Sequence, residues 1–401
     1  MKEATVYKKL SDKKVRCLAC QRKCEIAEGR VGFCLARKNT EGKLYSLLYG
    51  QITGIQADPI EKKPFYHFKP GSTVATIGSI GCNFRCKQCL NSWCTWGPSA
   101  TRTLHDLSRL SASASTREAR RDGPLLTLTS PNQIVQQVLK SGYSGIAFSY
   151  NEPVIWAEFA ADIATEFKVQ NSKCNVDRPF TVFVTNGSWT RETINLLAGT
   201  VATGDAKRGH RPTARNEEST GGGEASGRTR YQIVDAANID FKGFSEKTYQ
   251  KMGGVFGEIP EMAVYAQKKN IFVEITTLLI PKINDDWEEI KKMTNFIVHK
   301  LGPDTPWHLS EYDPNLAPDL EFQKIPFTPP ELLQKAYDIG KSEGLKHIYI
   351  WAPHQEYFVN DTVCPKCKKT VIERAGWTPS KIYITPPNKC SFCGYILNVV
   401  L

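Results

Sequence analysis

Cys82, Cys86 and Cys89 lie together in the run Gly81-Cys-Asn-Phe-Arg-Cys-Lys-Gln-Cys, directly after the strand-like stretch Val74 to Ile80. Three thiols so close in sequence converge on one centre, and the chain must present that centre at the end of a strand. A structural zinc or a closed iron–sulfur site takes four protein ligands, so a set of three leaves one position open for chemistry. On a [4Fe–4S] cube, three cysteines hold three irons and the fourth iron stays free for a ligand from outside the protein. The plainer alternatives are a zinc knuckle or a chance cluster.

A chain of 401 residues has room for one large α/β barrel-like domain with small appendages. It contains no apolar stretch of membrane-spanning length, and the start, Met-Lys-Glu-Ala-Thr, lacks the hydrophobic core of a signal peptide. A cytoplasmic protein with no membrane partner is expected. Thirteen cysteines in such a chain argue for metal and cluster binding over disulfides. The formal net charge of +11 is concentrated in residues 1–50, where 12 Lys and Arg face 5 Asp and Glu. That charge could steer an acidic partner or RNA, although a solvated basic face also accounts for it.

Beyond the triplet, strand-like and helix-like segments alternate, the pattern of a parallel sheet with crossover helices. Gly145–Tyr150, Phe180–Val184, Ala237–Phe241, Phe272–Ile280, His308–Tyr312 and His347–Trp351 read as strands. Ser130 with Pro131 reads as a helix start and Gly142 as its stop, and Thr328-Pro-Pro-Glu331 reads as a second start. Trp287, Ile290, Phe296, Ile297 and Leu301 space a further apolar stripe. Two stretches, about 98–129 and 199–230, break the rhythm and read as insertions. The second is too poor in apolar residues to order itself. The resulting division is a Cys-rich module at 1–70, the barrel at 71–355 and a tail at 356–401.

In barrel folds the reacting groups gather at the C-terminal ends of the strands. S-adenosylmethionine (SAM) is the ligand expected at the open iron for this cysteine spacing. Its amino and carboxylate groups chelate the iron, and an electron from the cluster breaks the S–C5′ bond to give a 5′-deoxyadenosyl radical. The strand ends supply matching groups: Tyr150-Asn151-Glu152-Pro153, where the carboxylate and backbone could hold the SAM amine; Thr185-Asn186-Gly187; the charged pair Asp240 and Lys242; and His308. Each has an ordinary alternative, namely a turn, a surface ion pair or a core imidazole.

Two further cysteine sets flank the barrel. Cys364-x2-Cys367 and Cys390-x2-Cys393, 22 residues apart in a strand-rich tail, read as a zinc ribbon, with a second iron–sulfur cluster as the alternative. Cys17, Cys20, Cys24 and Cys34 read as a zinc site or as an auxiliary cluster that relays electrons to the triplet. Cys94 and Cys174 have no assigned role.

The chain resembles a radical SAM enzyme of the pyruvate formate-lyase activating-enzyme type, and more narrowly the radical SAM member of the AmmeMemoRadiSam system. The matching stretches are Lys63-Pro-Phe-Tyr-His-Phe-Lys-Pro-Gly71, Gly81–Cys86, Tyr150–Pro153, Thr185–Gly187, Asn238–Gly243, Ile280–Asp285 and Pro306–Leu309, with both outer cysteine sets. The resemblance implies a partial (β/α)6 barrel. It puts Tyr150-Asn151-Glu152 in the place of a Gly-Gly-Glu segment that binds the methionyl amine, Asn186 facing SAM, and His308 near the SAM carboxylate. Three positions depart from the pattern: Gln88 where an aromatic often precedes the third cysteine, Val184 for an Asp, and Leu90 for a Gln. The implied activity is reductive cleavage of SAM followed by hydrogen abstraction, with a glycyl Cα–H of a protein substrate as one target and RNA or a small metabolite as rivals. A one-electron donor of flavodoxin or ferredoxin type is the implied partner. A non-catalytic iron–sulfur or zinc binding module is the alternative from another class.

Overall fold

The strand-like runs are buried at most positions, as parallel strands covered on both faces should be, and they assemble into one sheet. The computed structural model describes residues 1–96, 126–171, 178–202 and 230–401. The sheet has nine strands: β1 (Gly54–Pro59), β2 (Thr73–Gly78), β3 (Gly145–Phe148), β4 (Phe180–Thr185), β5 (Ala236–Asp240), β6 (Phe272–Leu279), β7 (Trp307–Glu311), β8 (Ile348–Ala352) and β9 (Tyr357–Val359). Spatial order follows chain order. Strands β2 to β8 are parallel, while β1 and β9 pair antiparallel at the two edges. Among the described residues β1 and β9 do not pair with each other, which leaves the barrel incomplete. The expected strands lie within a residue or two of the observed ones. The main sheet also takes in β1 and β9, from outside 71–355.

Helices α1 (Pro131–Lys140), α2 (Ala157–Asn171), α3 (Arg191–Leu197), α4 (Glu246–Met252), α5 (Ile259–Lys268), α6 (Trp287–Phe296) and α7 (Pro330–Ser342) fill the crossovers. Helix α1 begins as expected. Ser130 Oγ accepts from Gln133 N at 3.2 Å, and the Gln133 side chain accepts from Ser130 N at 2.9 Å, a reciprocal cap. Thr328 does not cap α7, contrary to expectation. Its hydroxyl is buried, accepting from Tyr312 N at 2.9 Å and donating to Leu279 O, and Pro329 stands at the cap position instead. The tertiary partners outcompete the local cap.

Period-2 alternation splits the apolar residues into two cores. Ile77, Phe148, Phe183, Ile239, Ile275 and Trp307 pack outward under the helices. Val74, Ala147, Phe180, Val182 and Ala236 point inward and close on Phe65 and Phe68. The segment 64–68 therefore plugs the base of the barrel. Glu274 fixes the plug by accepting from the backbone N–H of Tyr66, His67 and Phe68 at 3.0, 2.9 and 3.1 Å. With the base filled, the C-terminal ends of the strands form the accessible mouth. The regions about 98–129 and 199–230, and Cys174, fall wholly or largely outside the described residues. No helix among the described residues is long and apolar enough to cross a membrane.

Candidate functional site

Strand β2 ends at Gly78, and the chain turns directly into the cysteine loop. Asn151 holds this turn with every atom of its amide. Its Nδ2 donates to Ile80 O and Gly81 O at 3.0 and 3.2 Å, and its Oδ1 accepts from Ser79 N and Trp156 Nε1 at 3.0 and 3.2 Å. The side chain thus braces the loop and has no free group left for a ligand. From the other side, Arg85 N and Lys87 N donate to Gly253 O and Met252 O, each at 3.0 Å. Gly253 ends α4 with φ +82°, and a Cβ there would lie 2.1 Å from Arg85 O. Only glycine permits both the left-handed cap and this close approach.

The three thiols on this loop are buried or half-buried. Burial pushes Cys86 up to about 12 and raises Cys82 and Cys89 as well. The free thiols are thus held neutral, and a bound cationic centre would draw off their protons. Around them stand the groups from the other strand ends. Glu152 is buried, and its carboxylate accepts from Thr185 Oγ1 at 2.7 Å, Asn186 N at 2.8 Å and Val154 N at 3.2 Å. Burial outweighs these donors and lifts its pKa to about 7. Asn186 donates from Nδ2 to Asn83 Oδ1 at 2.7 Å and points the same amide at Cys82 Sγ, 3.9 Å away. Lys242 is buried and paired with Asp240. Burial opposes its charge, but Asp240 and Cys86 together hold its pKa above the ordinary lysine value.

Glu152, Thr185, Asn186, Asp240 and Lys242 are therefore gathered with the triplet. Besides Asn151, two expected site residues are engaged elsewhere. Tyr150, at φ +69°, turns its hydroxyl to Gln56 Oε1 at 2.8 Å and Asp58 Oδ2 at 3.2 Å on β1. His308 faces the barrel interior with Nε2 on Glu274 Oε2 at 2.7 Å and its ring stacked on Tyr349, which places it in the network that holds the plug. Sequence reasoning assigned no partner to Gln88. It is buried in the cysteine loop, and neither its Nε2 nor its Oε1 has a partner among the described residues; Asp240 Oδ1 is likewise unpartnered. Buried polar atoms of this kind are costly unless a ligand answers them.

The tail brings Cys364, Cys367, Cys390 and Cys393 together. Their sulfurs all lie within 4.8 Å of one another, and the pairs Cys364–Cys393 and Cys367–Cys390 are each 3.7 Å apart, an arrangement that could hold a metal ion. The tail is docked on the barrel plug through Arg374 Nη2 to Tyr66 O at 2.7 Å and Val400 N to His67 O at 2.8 Å. Cys17, Cys20, Cys24 and Cys34 line one small, partly open cavity beside the triplet's loop. Cys94 is buried and structural, its carbonyl accepting from Gly81 N at 2.8 Å.

Fold and site together define an α/β protein with an incomplete parallel barrel, a three-cysteine loop at its mouth and a four-cysteine tail that could bind a metal. The chain belongs to the family of the uncharacterized protein MJ0808 of Methanocaldococcus jannaschii, with which it shares 30% identity over 403 residues, the full length of both. No protein-family model matches it. Among solved structures, a domain of pyruvate-formate lyase-activating enzyme from Bacteroides vulgatus is 16% identical at a TM-score of 0.36, covering 52% of this chain and 99% of that one. A radical SAM methyltransferase from Sphaerobacter thermophilus is 12% identical at a TM-score of 0.41, covering 70% and 66%. SuiB of Streptococcus suis bound to S-adenosylmethionine is 12% identical at a TM-score of 0.37, covering 73% and 49%. These superpositions are loose.

Proposed function

We propose that the protein is a radical SAM enzyme whose Cys82, Cys86 and Cys89 hold a [4Fe–4S] cluster with SAM on the open iron. The observation that carries this reading is the set of groups around the triplet. The three thiols do not draw together within 4.8 Å as single-ion ligands would, yet a buried carboxylate, a buried ammonium and an unpartnered amide surround them. When bound, the reduced cluster supplies the electron that cleaves SAM to methionine and a 5′-deoxyadenosyl radical, which takes a hydrogen atom from the substrate. The protein's own residues bind and orient. Glu152 Oε2 takes one protein donor and keeps acceptor capacity for the SAM amine. Lys242 offers a cation to the SAM carboxylate. Gln88 offers a donor and an acceptor to a further polar group of the ligand.

The substrate in this reading is a glycyl Cα–H of a partner protein, by analogy with activating enzymes. Leu90 and Trp93, exposed at 58% and 39% beside Cys89, offer the apolar contact that such a protein would cover. The electron donor is of flavodoxin or ferredoxin type. It suits the exposed Phe33, whose ring carries the guanidinium groups of Arg22 and Arg85 at 3.6 and 4.8 Å. The tail quartet is assigned to zinc, because a tetrahedron with metal–sulfur bonds of about 2.3 Å has edges of about 3.8 Å. A cytoplasmic setting follows from the reduced thiols this chemistry needs.

The test is anaerobic. Reconstituted protein, reduced with dithionite and given SAM, is expected to release 5′-deoxyadenosine, and Cys86→Ala is expected to release none. Wild-type protein that carries no [4Fe–4S] cluster, or that leaves SAM intact, would overturn the reading. Salt-sensitive RNA binding would replace the protein substrate with RNA.

A further inference from the structure

The two cysteine quartets differ in spacing. The tail sulfurs sit 3.7 Å apart in pairs, as around one ion. No three of Cys17, Cys20, Cys24 and Cys34 gather within 4.8 Å of one another. Instead all four line one small, partly open cavity of about 10 Å³, room for a water-sized sphere. A single zinc lies about 2.3 Å from each sulfur and leaves no such space. A four-iron cube places one thiolate on each iron and so separates the sulfurs by about 6 Å, with a void of this kind when the cube is taken away. The triplet shows the same wider spacing, so the chain contains two wide sets and one narrow one.

The surroundings of the cavity extend the argument. Asn83 lines it, is fully buried and leaves Nδ2 without a partner among the described residues, while its Oδ1 accepts from Asn186. Its neighbour in the chain is Cys82. The cavity and the triplet are therefore separated by a single residue whose side chain faces one and whose backbone carries the other. Cys34 O also abuts Gly81, where a Cβ would lie 2.7 Å from it. Arg22 stands on the cavity wall and supplies positive charge against the thiolates, while Arg37, also on the wall, is already paired with Glu158.

We infer that Cys17, Cys20, Cys24 and Cys34 hold a second [4Fe–4S] cluster, fully ligated by protein, that passes single electrons to the Cys82–Cys86–Cys89 centre by way of Asn83. The relay rests on the function proposed above; the occupancy of the quartet does not. A low-potential protein donor is oxidised by one electron as the second cluster is reduced. That cluster is reoxidised as the triplet's cluster gains the electron, so no charge or atom is left over.

The deciding variant is Cys82→Ala/Cys86→Ala/Cys89→Ala in the full chain, reconstituted anaerobically with iron and sulfide, because it leaves the N-terminal quartet intact. It is expected to lose half the iron of the wild type, from about eight to about four atoms per chain, and to keep a dithionite-reduced EPR signal that SAM does not alter. A triple variant with no iron and about two zincs per chain would overturn the inference. Failure of wild-type protein to cleave SAM would sink the proposed function and leave this iron count standing. For the relay, Cys20→Ser is expected to lower the ratio of flavodoxin-driven to dithionite-driven SAM cleavage; an unchanged ratio in a variant lacking the second cluster would refute it.

Discussion

In the function proposed above, Glu152 makes SAM binding a reporter of its own proton. Burial lifts its pKa from 4.5 to about 7, against the opposing pull of Asn186 N, Thr185 Oγ1 and Val154 N. The ionised form is the one that accepts from the SAM amine. Below pH 7 the competent fraction falls about tenfold per unit, and the apparent affinity falls with it, about 1.4 kcal/mol per unit. SAM titrates too, so the wild-type profile alone is ambiguous. Glu152→Gln removes the protein proton and keeps SAM's, so the two profiles of log Kd against pH should differ in slope by about one below pH 6, by about half at pH 7, and run parallel above about pH 8. Anaerobic calorimetry on cluster-loaded protein measures both. Parallel profiles throughout would refute the assignment of Glu152 to the amine. For stability the sign is the reverse of the usual carboxylate case. A raised folded pKa means that the unfolded chain releases its proton first, so stability from this group is greatest below pH 4.5. It falls by about 3 kcal/mol as pH rises to about 7. Glu61, also raised to about 7 by burial, shifts stability in the same direction, which makes binding the cleaner assay.

Two other perturbations test the supports of the site. Gly253→Ala puts a Cβ 2.1 Å from Arg85 O at φ +82°, costing about 1–2 kcal/mol for the backbone alone; iron analysis should show lower loading of the triplet while the far-UV spectrum of the barrel is retained. Cys390→Ser should release the zinc proposed for the tail and lower the melting temperature. It should also speed hydrogen exchange at Tyr66, His67 and Phe68, because Arg374 and Val400 clamp that segment from the tail. Unchanged exchange would show that the plug does not depend on the ribbon.

The strands, the two ends of α1 and the three cysteine sets could be read in the sequence because each is signalled locally, by an apolar run, a cap or a Cys spacing. What could not be read depends on which segments meet. Asn151 looks like part of a ligand-binding segment, yet the fold of the loop after β2 consumes its whole amide. Thr328 carries a cap signature, but Leu279 and Tyr312 claim its hydroxyl from elements far along the chain. His308 stands on a strand like the other candidates, and only the position of Glu274 one strand away reveals its tie to the plug. Gly253 is the residue whose signal was available and unused: a Gly-Gly pair closing a short helix marks a left-handed cap, though the loop it would seat could not be named.

The N-terminal module shows why register matters more here than burial. Arg37, 1% exposed, reaches Glu158 on α2 with two bonds of 2.9 and 2.7 Å and also donates to Ile155 O at 3.1 Å. A buried ion pair of this kind adds little net stability over an apolar pair of equal volume, because desolvation of both ions offsets their attraction. Removing one partner, in contrast, costs about 3–5 kcal/mol. Such a pair therefore penalises wrong placement of the module more than it rewards folding. The placement it enforces sets the cavity of Cys17, Cys20, Cys24 and Cys34 against Asn83 and Gly81. A zinc whose task was only to staple the first residues together would work at any angle to the barrel. A redox centre would not, because electron transfer fails once the centres move apart, and the fixed register is what the inferred second cluster would require.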